Sequence, residues 1–262
     1  MQYLKITAVE KFGGVTAAFT TRHGGVSEGH LSSMNLGLSR GDKKENVQKN
    51  YRIIADTLGL ALDSFVLTAQ THTNNIKIVT KEDCTKGLEK IGFNDTDGLV
   101  TNQPGIALVA FFADCVPVFL YDPFKKIIAL LHAGWRGSVS GIAKNGVKIM
   151  TETFGADPKD IIAFIGPSIC KNCFEIGEEV ADEIAKINAG VLTQKQNGKY
   201  TADLWQLNKS ILLGAGLLGE NISISGICTF ENDKDFFSHR KTGGKRGNLA
   251  AVISLKNQTV AV

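Results

Sequence analysis

The longest apolar stretch of the chain, Gly105 to Tyr121, is broken at Asp114 and again at Pro117. No segment therefore offers the roughly 20 uninterrupted apolar residues that a membrane span requires. The pieces on either side, Ile106 to Phe112 and Val116 to Tyr121, have the length of strands. The break places an aspartate and a thiol, Asp114 and Cys115, at the junction of two apolar strands. A carboxylate buried there is costly unless neighbouring donors satisfy it. Similar short runs occupy Val15 to Thr20, Ser64 to Thr68, Ile76 to Val79, Gly98 to Thr101, Ile127 to Leu131, Ile161 to Ile165, Ile222 to Ile227 and Leu249 to Leu255.

Three helices are legible from periodicity. Val139, Ile142, Ala143, Gly146, Val147, Met150 and Phe154 share one face of a 3.6-residue repeat. A second helix begins at Asp203, where Asp203 and Gln206 form a capping-box pattern ahead of Leu207, Ile211 and Leu218. A third follows Gly177, with Glu178 and Glu179 in the first turn, where the helix dipole favours acids. Strands concentrate before residue 135 and helices mostly follow it, which is the order of an α+β fold. With no linker and no repeat of fixed period, the expectation is one domain over residues 1–262. Its architecture is expected to be mixed β-sheets packed with helices in a layered α/β/β/α-type sandwich.

Five cysteines are an odd number in a chain long enough to bury a core, so a disulfide framework is not expected. The start, MQYLKITAVEKFGG, lacks the pattern of a secretory signal, and a cytoplasmic location is the expectation. The net charge of +3 arises from 29 basic and 26 acidic residues scattered along the chain, with no broad basic face for nucleic acid. A small anion held by two or three cations remains open.

Two of the five histidines stand at the edges of strands in polar settings, Gln70-Thr71-His72 and His132-Ala133-Gly134-Trp135-Arg136-Gly137. With Cys115 they make a three-ligand set of the catalytic zinc type, whose open fourth position would hold a water of lowered pKa. Two alternatives use the same residues: a buried core, and a metal-free cysteine hydrolase with Cys115 as nucleophile and His132 as base. A helix starting near Ser138 would aim free N–H groups back toward His132, and Arg136 in that turn could fork onto a phosphate or carboxylate. The glycine-dense stretch Thr20 to Gly29, followed by Asn35-Leu36-Gly37, reads as a binding loop or an ordinary long turn. Cys170-Lys171-Asn172-Cys173 has no second CxxC and reads as structural. The basic segment Asp235 to Arg246 reads as a solvated turn, with closure on a substrate anion as the alternative.

The motifs TTRHGGVSEG, NLG, QTH, DGLVT, ADCVPV, HAGWRGSVSG, IGPSIC with CFEIGEEV, DLWQLN and FFSHR resemble the laccase-domain proteins, from about Thr20 to the C-terminus. That family was once called multicopper polyphenol oxidoreductases and has since been described as purine nucleoside phosphorylases with adenosine deaminase activity. The resemblance implies zinc on His72, Cys115 and His132, and it places Arg22 and Asn35 near the substrate. It implies phosphorolysis of adenosine, inosine, guanosine or methylthioadenosine, and replacement of the adenosine amino group by water. Asp114 or a bound water would then move protons, and Arg22, Arg136 and Arg240 are the candidates to hold phosphate. Purine nucleosides and phosphate are thus the expected partners, with neither nucleic acid nor membrane. A true multicopper oxidase is excluded, because five histidines without an HxH pair cannot build a blue-copper site together with a trinuclear cluster. Copper on the His2Cys set could still give weak polyphenol oxidation in vitro. Two positions depart from the family pattern: Met34 stands in place of leucine, and Asn248 follows Gly247 where an arginine is expected.

Overall fold

A computed structural model of the chain describes residues 1–84 and 92–257. In chain order the described strands are β1 (Tyr3–Lys5), β2 (Val15–Thr20), β3 (Phe65–Ala69), β4 (Ile76–Ile78), β5 (Phe93–Asn94), β6 (Gly98–Thr101), β7 (Ala107–Phe112), β8 (Val116–Asp122), β9 (Ile127–Ala133), β10 (Ile162–Ile165), β11 (Glu175–Ile176), β12 (Leu192–Gln194), β13 (Tyr200–Ala202), β14 (Ile222–Ile224) and β15 (Leu249–Leu255). The helices are α1 (Thr7–Glu10), α2 (Lys44–Leu58), α3 (Trp135–Val139), α4 (Ile142–Phe154), α5 (Glu178–Asn188), α6 (Leu204–Gly214) and α7 (His239–Thr242). Two mixed sheets of six strands run in the orders β1-β2-β15-β7-β3-β5 and β14-β10-β8-β9-β6-β4, and β11, β13 and β12 form a small third sheet.

The period of two along each strand builds the layers. On β8, Val116, Val118 and Leu120 join Ile142, Ala143, Val147 and Met150 of α4 in one core, while Phe119 and Tyr121 face a second core. That second core lies between the sheets and takes Leu249, Ala251, Ile253 and Leu255 from β15. The intervening Ala250 and Val252 turn outward onto Val47, Tyr51, Ile54 and Ala55 of α2. The result is the expected α/β/β/α order. The approach of α4 to its sheet is close enough that a Cβ on Gly146 would stand 2.7 Å from Leu131 Cδ1, which explains a glycine in mid-helix.

Helix α2 lies before residue 135, against the expectation that helices mostly follow it; the outer face of the first sheet needs an apolar cover of its own. The helix expected near Ser138 is two pieces. α3 already starts at Trp135, and α4 starts only after Gly141, whose φ of +83° interrupts the winding. Asp203 caps α6 by accepting from Gln206 N, but that helix ends at Gly214, so Leu218 lies beyond it. Among the described helices none is long and apolar enough to cross a membrane.

Topology positions the site. The β3–β4 and β7–β8 connections both cross from the first sheet to the second, at the same end of the sandwich. The first carries His72 and the second Asp114 and Cys115, while His132 stands near the end of β9, in register with Pro117 on β8.

Candidate metal centre and its cavity

His72, Cys115 and His132 bring their ligand atoms within 4.8 Å of one another. Cys115 Sγ lies 3.8 Å from His72 Nε2, and the two imidazole rings meet edge-on with centroids 4.9 Å apart. Gly134 leaves room for this gathering, since a Cβ there would sit 3.1 Å from both Cys115 Sγ and His72 Cδ2.

The residue that organises the trio is Asp97, which is fully buried. Its Oδ1 accepts from His132 Nδ1 at 2.7 Å and from His72 N at 3.0 Å. Its Oδ2 accepts from Thr71 N, Thr73 N and Thr73 Oγ1 at 3.2, 2.9 and 2.9 Å. One carboxylate therefore fixes the loop on which His72 adopts its left-handed φ of +68° and also sets the His132 tautomer, leaving Nε2 as the electron-pair donor. The His132 bond holds Asp97 well below the usual carboxylate range, at about 2, against the opposing effect of burial. Burial alone would raise the Cys115 thiol, but His132 and then His72 outweigh it and bring it down to about 6. Burial likewise opposes charge on His132, and Cys115 and Asp97 reverse that, raising it to about 9. A thiolate beside two imidazoles, one buttressed by a carboxylate, is a donor set suited to a metal ion. Asp97 was visible in the DGLVT motif, yet its role could not be read there, because its partners lie in the loop after β3 and on β9.

The trio lines a cavity of about 870 Å³ whose wall also includes Arg40, Gln70, Phe112, Trp135, Phe174 and Arg246. Asp114 lines it too, but its carboxylate is fully engaged. Oδ1 accepts from Thr229 Oγ1 at 2.7 Å, and Oδ2 accepts from Ser238 Oγ at 3.0 Å and Arg240 N at 2.7 Å. These are the partners that its burial demanded, and they make Asp114 an anchor for the 229–240 segment.

The family model described as multi-copper polyphenol oxidoreductase laccase matches residues 16–256. The chain belongs to this laccase-domain family. Among its relatives, the purine nucleoside phosphorylase YlmD of Bacillus subtilis is 40% identical over 92% of this chain and 89% of its own length. Adenosine deaminase RL5, from an unknown prokaryotic organism, is 34% identical over 96% of this chain and 98% of its own. The crystal structure of YlmD from Geobacillus stearothermophilus superposes with a TM-score of 0.91 at 34% identity, covering 94% of this chain and 93% of that one.

Within this laccase-domain chain the four expected substrate residues part company. Arg240 lines the cavity, with its guanidinium over the Phe174 ring at 5.3 Å and Nη1 donating to Glu175 O at 2.8 Å. Asn35 is buried behind the wall. Its Oδ1 accepts from Gly37 N and Asn248 N, both at 3.0 Å, and so it positions two residues that do line the cavity. Arg22 is outside the lining; it donates to Ser32 O and Asp233 O and lies 4.6 Å from the Phe237 ring centroid, tying the glycine-dense loop to the 230s segment. Arg136 is exposed and folds over Trp135 at 4.3 Å, and α3 is too short to present an anion-binding end.

The basic segment near the C-terminus is solvated along His239–Gly243 and at Lys245, as expected of a turn, but it is anchored at its ends by buried Phe236, Phe237, Ser238 and Arg246. Arg246 donates to Asn248 Oδ1 and, at 3.5 Å, meets His239 Nδ1. Burial, reinforced by Arg40, lowers Arg246 to about 10, and burial followed by Arg246 lowers His239. The Nε atoms of Arg40 and Arg246 are buried without a hydrogen-bond partner, and among the described residues neither guanidinium has an ion pair. Arg246 thus lies directly against Asn248, where the family pattern has an arginine, and Met34 fills the core under α2 with no exposed surface.

Proposed function

We propose that the chain is a zinc-dependent purine nucleoside phosphorylase, acting on adenosine, inosine, guanosine and methylthioadenosine, with adenosine deaminase activity. The observation that carries this reading is one cavity in which a His/Cys/His donor set adjoins Arg40, His239, Arg240 and Arg246. Of these, Arg246 is buried, as is the Nε of the half-buried Arg40, and neither is paired with a carboxylate among the described residues; an anion of phosphate size would relieve that cost. The volume is that of a small-molecule site, and Phe112, Trp135 and Phe174 give it aromatic surface for a flat base.

Bound at His72, Cys115 and His132, zinc would supply Lewis acidity and a water of lowered pKa. The protein's own groups do the rest. Arg40, Arg240 and Arg246 hold phosphate and keep its attacking oxygen facing the ribose carbon. His239 also lines the cavity, with Nδ1 facing Arg246 and its proton affinity lowered by burial and then by Arg246. Phosphorolysis forms a carbon–oxygen bond to phosphate and breaks the carbon–nitrogen bond to the purine, which departs with the electron pair and takes up a proton. Deamination instead exchanges the 6-amino group for a water oxygen and releases ammonia.

Cys115, His132 and Asp97 also supply the residue types of a cysteine hydrolase triad, with Asp97 on His132, but Cys115 Sγ also meets His72 Nε2 at 3.8 Å, a contact for which such a triad has no use. Arg246→Met separates the proposed reactions. Loss of charge-assisted bonds of about 1.5–3 kcal/mol should raise the phosphate KM by about tenfold or more. Phosphate-independent inosine formation should stay within about twofold under the same scale. Unchanged phosphate dependence would remove the anion from this wall.

A further inference from the structure

A second group of ligand atoms stands apart from the trio. Cys170, Cys173, Cys228 and Glu231 bring three sulfurs and a carboxylate oxygen within 4.8 Å of one another, and all three cysteines are free thiols. The CxxC forms one tight turn after β10, in which Cys173 N and Phe174 N both donate to Cys170 O, at 3.1 and 3.0 Å. Cys228 reaches it from the segment after β14 through the Ser168–Cys228 bridge, and Glu231 follows in the next turn. In sequence the CxxC lacks a partner pair; the fold supplies the missing two ligands.

We propose that this cluster binds one zinc ion as a closed, four-coordinate structural site. Zn–S bonds of about 2.3 Å and a Zn–O bond of about 2.0 Å put sulfur and oxygen about 3.5 Å apart around a tetrahedron. Glu231 Oε1 stands 3.6 Å from Cys170 Sγ and 3.5 Å from Cys173 Sγ. Cys170 N donates to Cys228 Sγ at 3.3 Å, the kind of outer contact that steadies a coordinating thiolate. Three thiolates with a hard carboxylate suit zinc better than copper(I), which selects soft ligands alone. With four protein ligands and no open position, the site holds structure and does no chemistry.

What it holds is one wall of the cavity. The first clamped segment carries Ile169 and Phe174, which line the cavity, and the second leads from Thr229 to Ser238 and Arg240, the three partners of Asp114. Zinc would fasten these segments to each other beyond the Ser168–Cys228 bridge and its flanking backbone bonds, Ser168 N to Ile227 O and Thr229 N to Ser168 O. The inference does not depend on the reaction proposed above.

Cys115→Ala isolates the site by removing a ligand of the other one. After reduction and loading with zinc, this variant should retain one zinc per chain through gel filtration, and Cys115→Ala/Cys173→Ser should retain none. Loading the same proteins with cobalt should give sulfur-to-metal charge-transfer bands in the first and not in the second. If the serine variant fails to fold, the milder Glu231→Gln, at an exposed position, should weaken zinc binding in the Cys115→Ala background by about tenfold or more in a chelator competition, with unchanged circular dichroism. A folded, reduced Cys115→Ala protein that retains no zinc overturns the proposal, as does zinc affinity indifferent to Glu231→Gln. A native mass two hydrogens short, with Cys170 and Cys173 cross-linked, would overturn it as well.

Discussion

Replacing Asp97 by asparagine keeps the shape of the side chain but exchanges one accepting oxygen for an NH2 group. If the nitrogen takes the Oδ1 position, His132 Nδ1 and His72 N lose their acceptor; in the other orientation Thr71 N, Thr73 N and Thr73 Oγ1 lose theirs. At least two charge-assisted bonds vanish either way, at about 1.5–3 kcal/mol each, so the metal-free fold should lose about 3 kcal/mol or more. Because His132 loses the carboxylate charge behind it in either orientation, metal affinity should fall by about 10- to 100-fold. Urea unfolding of metal-free protein reads the first effect, and competition with a zinc-sensitive chelating dye reads the second. The pH dependence carries its own sign. Asp97 is held at about 2 in the folded chain, against an ordinary 3.8, so its stabilisation is fully present above the ordinary value and is lost as pH falls from there toward 2. Part of the wild-type acid destabilisation should therefore be missing in Asp97→Asn. Wild-type metal affinity in this variant would refute the assignment of Asp97 as the organiser of the trio.

Three further outcomes follow from the same geometry. Gly134→Ala would place a methyl group 3.1 Å from Cys115 Sγ and His72 Cδ2, and should lower metal affinity several-fold while leaving the metal-free unfolding midpoint nearly unchanged. Alkylation of Cys115 by iodoacetamide in metal-free protein should titrate near pH 6, shift upward in His132→Ala, and be blocked by bound metal. Asp114→Ala strands the donors of Thr229, Ser238 and Arg240 and should cost about 2–4 kcal/mol in stability, whereas a variant lost only in catalysis would return the residue to proton transfer.

The strands were legible in the sequence because they rest on a local signal, short apolar runs between Gly, Pro and Asp; the trio of His72, Cys115 and His132 was singled out by its polar settings, but only the family resemblance favoured a metal site over a core or a cysteine hydrolase. Helix α2 was legible in principle, since Val47, Tyr51, Ile54 and Ala55 repeat at helical spacing, but its mean polarity hides the stripe. Of the cation wall only Arg240 was legible. Arg22 and Arg136 sit in glycine-rich motifs that suggest ligand binding, yet one is spent on backbone carbonyls and the other on Trp135. Arg40 occupies an unremarkable loop, and Arg246 ends a basic segment in which no single residue stood out; only the folding of these two distant segments against Asn35 and Asn248 brings both to the cavity. Asp97 was missed for the same reason. A carboxylate that organises a site announces itself through its donors, and those come from elements far apart along the chain.

The most direct test of the central claim is elemental analysis of purified protein joined to an assay of adenosine with and without phosphate, with the products separated as adenine, inosine and hypoxanthine. Zinc bound to the wild type and reduced in His72→Ala and His132→Ala, together with phosphate-dependent adenine and phosphate-independent inosine that both vanish in those variants, is the predicted result. Near-normal turnover in either histidine variant, or metal-free wild-type protein inert toward nucleosides, would contradict the account and favour a hydrolase built on Cys115, His132 and Asp97.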